Sequence, residues 1–313
     1  MTVSDSSQRS FSLRYVTVDV FTTRVFGGNP LAVVLDAQHL ATSQMQAIAT
    51  EFNYSETTFV VAPRDRAHTA QVRIFTARTE VPFAGHPNIG TAVVLARELE
   101  SQGKPPLERF IFEEAAGLVP IRLVREGGQV VAAELTAPAP LSIGAMATVE
   151  EAAACLSLAP SDISTTTHPP QVVSVGLPFL VAELVSRDAL RRAKPNPMAH
   201  ERVLPSKGTD AIFAYTRGAA IGELMARMFA PLDATVEDPA TGSATAATIA
   251  LRASLSPERD AQMAWRIEQG LEMGRPSLIL GRTEKRAGAV TSVHVAGHAV
   301  PVMRGELTLP RES

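Results

Sequence analysis

The 313-residue chain contains one cysteine, Cys155. A single thiol excludes an internal disulfide framework and any zinc site built on several thiolates. Neither sign of charge is in surplus: 29 Lys and Arg stand against 32 Asp and Glu, a formal net charge of -3. With no long basic run, neither nucleic acid nor a membrane surface is an expected partner. No apolar run approaches the ~18 residues that span a bilayer. The first residues, MTVSDSSQRSFSLR, lack the apolar segment of a secretory signal. A cytoplasmic protein is therefore expected, frayed over residues 1–11. No GxGxxG follows a strand and no Walker A pattern occurs, so no nucleotide fold is indicated. Ser243 lacks the GxSxG context of a nucleophile elbow. His294 and His298 are four apart, but Gly297 and the alternating valines read as strand and turn, and no third ligand is near. No metal site and no cofactor are expected.

What is present points to a folded protein. Hydrophobic residues make up 45% and charged residues 19%, and the length suits two domains of roughly 150 residues each. An internal repeat supports that division. Gly28-Asn29-Pro30-Leu31-Ala32-Val33-Val34 resembles Gly176-Leu177-Pro178-Phe179-Leu180-Val181-Ala182, 148 residues later. Arg73-Ile74-Phe75-Thr76 resembles Arg227-Met228-Phe229-Ala230 at an offset of 154. Pro87-Asn88-Ile89-Gly90-Thr91-Ala92 resembles Pro239-Ala240-Thr241-Gly242-Ser243-Ala244 at 152. Three matches in order at a near-constant offset indicate duplication, and a period near 150 is too long for a solenoid.

The local patterns fit a curled sheet around a buried helix, twice. Tyr15–Phe21 and Leu31–Leu35 are β-rich, with GGNP between them as the turn. Ser43-Gln44-Met45-Gln46 reads as a capping box opening a helix with Met45, Ile48, Ala49 and Phe52 on one face. Thr57–Val61 and Gln71–Phe75 read as strands. Gly90–Leu99 and Thr245–Leu251 are apolar all round, the pattern of buried helices. Leu135–Pro140 is a crossover near the domain boundary. Cys155 lies in an alanine-rich helical stretch and reads as a small buried residue.

His86-Pro87 and Asp238-Pro239 each precede a buried helix that opens with slim residues, Gly-Thr-Ala or Gly-Ser-Ala. Helix N-termini expose free N–H groups and carry partial positive charge. Slim residues let an anion approach the backbone. If the halves are related by a pseudo-twofold axis, both helix starts point into one cleft, where a small carboxylate would sit. An ordinary N-cap is the competing reading of each copy. Glu56, where a helix ends and a strand begins, is either a solvated turn residue or, if partly buried, an acid–base group.

FGGNPLAVV, NYSETTFV, FAGHPNIGTA, RMFAP, EDPATGSATAA and QGLEMGRPS, in that order, closely resemble the PhzF-like family of phenazine-biosynthesis isomerases, from about Tyr15 to Leu309. The resemblance implies a mixed α/β fold of the diaminopimelate-epimerase type. It has two pseudo-symmetric domains, each a barrel-like, mostly antiparallel sheet around a central helix, with the active site between them. The corresponding boundaries are 11–128, completed by a C-terminal strand over 299–313, and 129–298. By the same resemblance the catalytic glutamate falls on Glu56, with His86 and Asp238 beside it. Ser243, Gly85, Gly242, Asn29 and Thr241 fall on substrate-binding positions. The implied reaction is a cofactor- and metal-free proton shift on a small carboxylate, as the characterised member isomerises a dihydro-hydroxyanthranilate; a homodimer is implied as well. The same proton abstraction also opens an epimerisation or a dehydration, and a non-catalytic acid-binding protein is a further reading. A racemase of this fold using two opposed cysteines is excluded by composition, since only Cys155 is present. Asn88-Ile89 after GHP and Leu232-Asp233-Ala234-Thr235-Val236 before EDP border the site and bear on the substrate.

Overall fold

The structure, a computed structural model, describes residues 10–232 and 236–310. Most of the segment expected to fray, the middle of the stretch ahead of Glu237, and the last three residues of the expected C-terminal strand lie outside the described residues.

β1 (Ser10–Val20) and β2 (Asn29–Val34) pair antiparallel, Tyr15 against Val34 and Val20 against Asn29. The turn between them closes at Gly27-Gly28, so Asn29 and Pro30 belong to β2 rather than to the turn. Gly28 adopts φ +61, and a Cβ there would clash with the Val20 carbonyl oxygen, so glycine is required. Helix α1 (Thr42–Phe52) buries Met45, Ile48 and Ala49. Its cap differs from the expected one. Ala41 is the N-cap, and the Gln44 side chain accepts from the Ala41 N–H at 3.0 Å, placing Ser43 inside the first turn. β3 (Glu56–Val61) runs parallel to β2, and β4 (Ala70–Phe75) antiparallel to β3. The two-residue β5 (Glu80–Val81) pairs with the end of β4 and leads into α2 (Gly85–Ser101). β6 (Arg109–Glu114), β7 (Gly117–Glu126) and β8 (Gln129–Thr136) complete this half.

The second half repeats the plan. β9 (Ser142–Met146), α3 (Val149–Cys155), β10 (Ile163–Ser164), β11 (Gln171–Ser174) and β12 (Pro178–Leu184) come first. Helices α4 (Arg187–Arg192) and α5 (Pro197–Lys207) then lead to β13 (Ile212–Arg217), parallel to β12 as β3 is to β2. β14 (Glu223–Phe229), the two-residue β15 (Glu237–Asp238) and α6 (Gly242–Ser254) follow. β16 (Ala261–Gln269), β17 (Ser277–Arg286) and the 22-residue β18 (Ala289–Pro310) end the chain.

One strand serves both halves. Residues 289–296 of β18 pair with β17, while 299–310 pair with β1 and 294–298 with β8. The ring β1-β2-β3-β4-β6-β7-β8-β18 is thereby closed into an eight-stranded barrel around α2, in which Gly85 through Ala96 are all buried. Around α6 the sheet runs β9-β11-β12-β13-β14-β16-β17-β18, and the Ala137 N–H on the Val293 carbonyl carries the chain from β8 towards β9. The division at 128/129 lies in the turn of the β7–β8 hairpin, and β8 lines the barrel that holds α2. α2 and α6 share one continuous core with both sheets. Each Val, Leu or Ile fully buried there contributes about 1.5–3 kcal/mol. α1 covers the barrel on the outside, and α3, α4 and α5 cover the sheet of the second half.

The repeat extends to side chains. Arg73 grips Glu80 through two bonds of 2.7 Å and lies over the Phe75 ring; Arg227 grips Glu237 at 2.8 and 2.9 Å and lies over Phe229. Both ion pairs fix a short strand just ahead of a central helix. This sets a different register from the expected alignment of Pro87 with Pro239. By helix start and strand ladder, Gly85 matches Gly242, Ala84 matches Thr241 and His86 matches Ser243. Pro87 therefore sits inside the first turn of α2, where its missing N–H is no loss, whereas Pro239 precedes α6. Gly90 is slim for another reason than anion approach: a Cβ there would meet Leu31 Cδ2 at 2.6 Å and Val20 Cγ2 at 2.8 Å.

Candidate active site

Glu56, His86, Asp238, Ser243, Gly85, Gly242 and Thr241 converge on one cleft of about 570 Å³ between the halves. That volume suits a small organic molecule. Glu56 is the first residue of β3, beside Leu31 of β2, and its side chain is 19% exposed. His86 is the second residue of α2, and its Nε2 lies 3.5 Å from Glu56 Oε2. Asp238 ends β15, opposite Met228, and is buried.

The two helix starts abut. A Cβ on Gly85 would lie 3.5 Å from the Ser243 backbone nitrogen and 3.6 Å from Gly242 Cα. Neither start is closed by a capping side chain: Ala84 has no acceptor, and Thr241 turns its hydroxyl onto Asp238. By contrast α3, α4 and α5 are capped by Thr148, Ser186 and Asn196. Free N–H groups at a helix start attract an anion. Among the described residues lining the cleft there is no lysine or arginine, so the backbone is what can hold negative charge there.

Asp238 is held on every side. Thr241 Oγ1 donates to Oδ2 at 2.6 Å, while Asn29 Nδ2 and Ser55 Oγ donate to Oδ1 at 2.8 and 3.1 Å. Burial pushes its carboxyl above the usual range, and these three donors pull it part of the way back. Asn29 is buried behind the cleft rather than lining it, and its two amide hydrogens are taken by Asp238 and by the Ala240 carbonyl at 3.0 Å. His86 Nδ1, 3.3 Å from the Asn29 nitrogen, is accordingly assigned the proton, directed to the Pro30 carbonyl. Its Nε2 then presents a lone pair to the Glu56 side. Burial drives the His86 pKa down to about 3, so the ring is neutral.

Two residues of this site escaped the sequence reading, although both lie in quoted motifs. Ser55, in NYSET, lines the cleft and holds Asp238. Gln269, in QGLEMGRPS, braces the start of α6: its Nε2 donates to the Asp238 carbonyl at 2.8 Å and its Oε1 accepts from the Thr241 N–H at 3.0 Å. Cys155 is buried in α3, does not line the cleft, and burial raises its thiol to about 11. Both distant histidines lie in β18, His294 on Thr136 and His298 near Glu126. No group of three or more metal-ligating side chains occurs among the described residues, and no helix there is long and apolar enough to cross a membrane.

Residues 18–305 match the family model of phenazine biosynthesis-like proteins, PhzC-PhzF. The chain belongs to this family. It is 39% identical to an uncharacterized isomerase of Mesorhizobium japonicum, over 94% of this chain and 98% of that one. It is 37% identical to the trans-2,3-dihydro-3-hydroxyanthranilate isomerase of Pseudomonas chlororaphis, over 94% of this chain and 99% of that one. A crystal structure of a PhzF-family protein from Bacillus anthracis superposes with a TM-score of 0.84 at 26% identity, covering 95% of this chain and 99% of that one. The fold is thus the diaminopimelate-epimerase-like one, and the PhzC-PhzF relationship places the chain among enzymes of the isomerase class.

Proposed function

We propose that this PhzC-PhzF family member catalyses a proton-shift isomerisation of a small carboxylate, with Glu56 as the acid–base group. The observation that carries the reading is the cleft itself. One glutamate faces two uncapped helix starts across about 570 Å³, with no lysine or arginine among the described residues of the lining. The N–H groups at Gly85, Gly242 and Ser243 would hold the substrate carboxylate. The Glu56 carboxylate takes a proton from a carbon next to a conjugated double bond. The electron pair left behind moves into the π system, and its charge is stabilised by the fixed helix-start dipoles. The resulting Glu56 carboxylic acid returns the proton to a second carbon, so atoms and charge balance with no external acid. His86, neutral, orients the substrate beside Glu56, and Asp238, held by Asn29, Ser55 and Thr241, supplies an acceptor on the opposite side.

The position matching Glu56 in the second half is Ala211, as set by the parallel ladders β2–β3 and β12–β13. The other carboxylates of the lining are Asp210, which is exposed, and Asp238, which is held by three donors, so the lack of a counterpart to Glu56 favours proton transfer on a single face over a two-base epimerisation. The first compound to assay is trans-2,3-dihydro-3-hydroxyanthranilate, named for the Pseudomonas relative. Glu56→Gln is expected to lower kcat by about 10²–10⁴-fold while calorimetric binding of the substrate persists. Wild-type turnover in Glu56→Gln contradicts the reading.

A further inference from the structure

The pseudo-symmetry also places Glu114, the last residue of β6, at the position of Gln269, the last residue of β16. In the parallel ladders, Glu113 pairs with Gln71 and Glu268 with Met225, and the next residue in each case faces the turn ahead of the central helix. In the second half, the Gln269 amide satisfies that turn through Asp238, Thr241 N and Thr241 Oγ1. In the first half the brace is incomplete. Asn88, in the opening turns of α2, donates to the Ala84 carbonyl at 3.0 Å, but its Oδ1 and both Glu114 carboxyl oxygens are buried without a hydrogen-bond partner. No donor makes a well-formed hydrogen bond to these three acceptors, and the Asn88 amide is the one group that reaches towards the Glu114 carboxyl. An added proton on Glu114 resolves this. The acid O–H donates to Asn88 Oδ1, and the second Asn88 amide hydrogen serves the acid carbonyl, a reciprocal acid–amide pair.

We propose that Glu114 is a positioning residue that works in its neutral form, bracing Asn88 and the start of α2 as Gln269 braces the start of α6. Burial, opposed only by the Asn88 amide, pushes the Glu114 carboxyl up to about 8. The charged groups around the same cavity do not answer it: the Arg64 side chain is exposed, Arg73 is held by Glu80, and Glu113 accepts from the Arg64 and Asp65 N–H groups and faces His68. No acidic or basic side chain lies in the first turn of α2 except His86 at the cleft. Above about pH 8 an ionised Glu114 would break the acid–amide pair and place negative charge behind the helix start that receives the substrate.

This consequence for catalysis rests on the proposed carboxylate site, so the test has arms with and without substrate. Wild-type KM is expected to rise about three-fold between about pH 7 and pH 9, the size of a charge effect at a helix end, with kcat nearly constant. Glu114→Gln, which reproduces Gln269, is expected to hold KM flat, and Glu114→Ala to raise it at every pH. Without substrate, carbon-13 spectra of labelled glutamate carboxyls, assigned by loss of one signal in Glu114→Gln, are expected to show a protonated carboxyl near pH 7. The folded-state shift is upward, so wild-type stability is expected to fall between about pH 4.5 and pH 8 relative to Glu114→Gln. A Glu114 signal already ionised near pH 6, or the same alkaline rise of KM in Glu114→Gln, overturns the proposal. Absence of turnover in the wild type would instead strike the function reading, leaving the spectroscopic arm to judge Glu114.

Discussion

The two halves share a scaffold and differ at nearly every chemical position. Arg73–Glu80 and Arg227–Glu237 are the same device: a bidentate ion pair with the arginine over a phenylalanine, fixing a short strand ahead of a central helix. The helix starts at Gly85 and Gly242 are likewise the same, slim and uncapped. Around them the residues diverge: Glu56 corresponds to Ala211, His86 to Ser243, Val81 to Asp238, and Glu114 to Gln269. What is repeated aims two helix dipoles at one point; what is not repeated makes the two walls of the cleft chemically unlike. A symmetric pair of bases would suit inversion of a carbon centre. The asymmetric pair suits moving a proton along one face.

The strongest way to break the comparison is to move the base across the pseudo-axis. Glu56→Ala combined with Ala211→Glu is expected to lose about 10²–10⁴ of kcat under steady-state assay. Recovery of activity would mean that the walls are interchangeable. The shared device offers the next effect. Arg227 is 8% exposed and also donates to the Leu190, Arg191 and Ala193 carbonyls, while Arg73 is 23% exposed. Removing one partner of a buried ion pair costs about 3–5 kcal/mol, so Arg227→Ala is expected to lose that much in denaturant unfolding. Arg73→Ala, nearer the surface, is expected to lose about 1 kcal/mol. Equal losses would show that the two pairs are equally buried in their energetics.

A smaller effect separates His86 from Ser243. The folded-state pKa of His86, about 3, lies below its unfolded value of 6.5. The unfolded chain therefore binds the extra proton in that window, and stability is lost as pH falls from about 6.5 towards 3. His86→Gln is expected to flatten this slope in thermal melts across the window, whereas Ser243→Ala leaves it unchanged. The smallest effect belongs to Cys155, buried in α3 away from the cleft. Cys155→Ala is expected to cost about 1 kcal/mol of stability and to leave turnover intact; loss of turnover would reinstate thiol chemistry.

The duplication, the buried helices and the helix starts at His86 and Asp238 were legible in the sequence because the repeat preserves local composition at nearly constant spacing, whereas Glu56, outside the repeat, stood out only through the family resemblance of NYSETTFV. The register at the helix starts was not. Pro-x-x-Gly occurs in both copies, yet Gly90 packs under Leu31 and Val20 while Gly242 opens a helix. Only the ladders β4–β5 and β14–β15 decide which glycine matches which. Glu114 sits in a stretch, FEEAAG, that belongs to none of the sequence motifs. Its burial and its kinship with Gln269 come from strand pairings between distant parts of the chain.

The most direct test of a one-sided base is the stereochemistry of proton transfer. Turnover of trans-2,3-dihydro-3-hydroxyanthranilate in deuterium oxide, with the product read by proton and deuterium NMR, reports which face receives the label. Product that carries either the returned substrate proton or, where the Glu56 acid exchanges with solvent first, deuterium at the newly protonated carbon on one face only is expected, with no turnover by Glu56→Gln. Label distributed over both faces, or labelled product formed by Glu56→Gln at the wild-type rate, would contradict it.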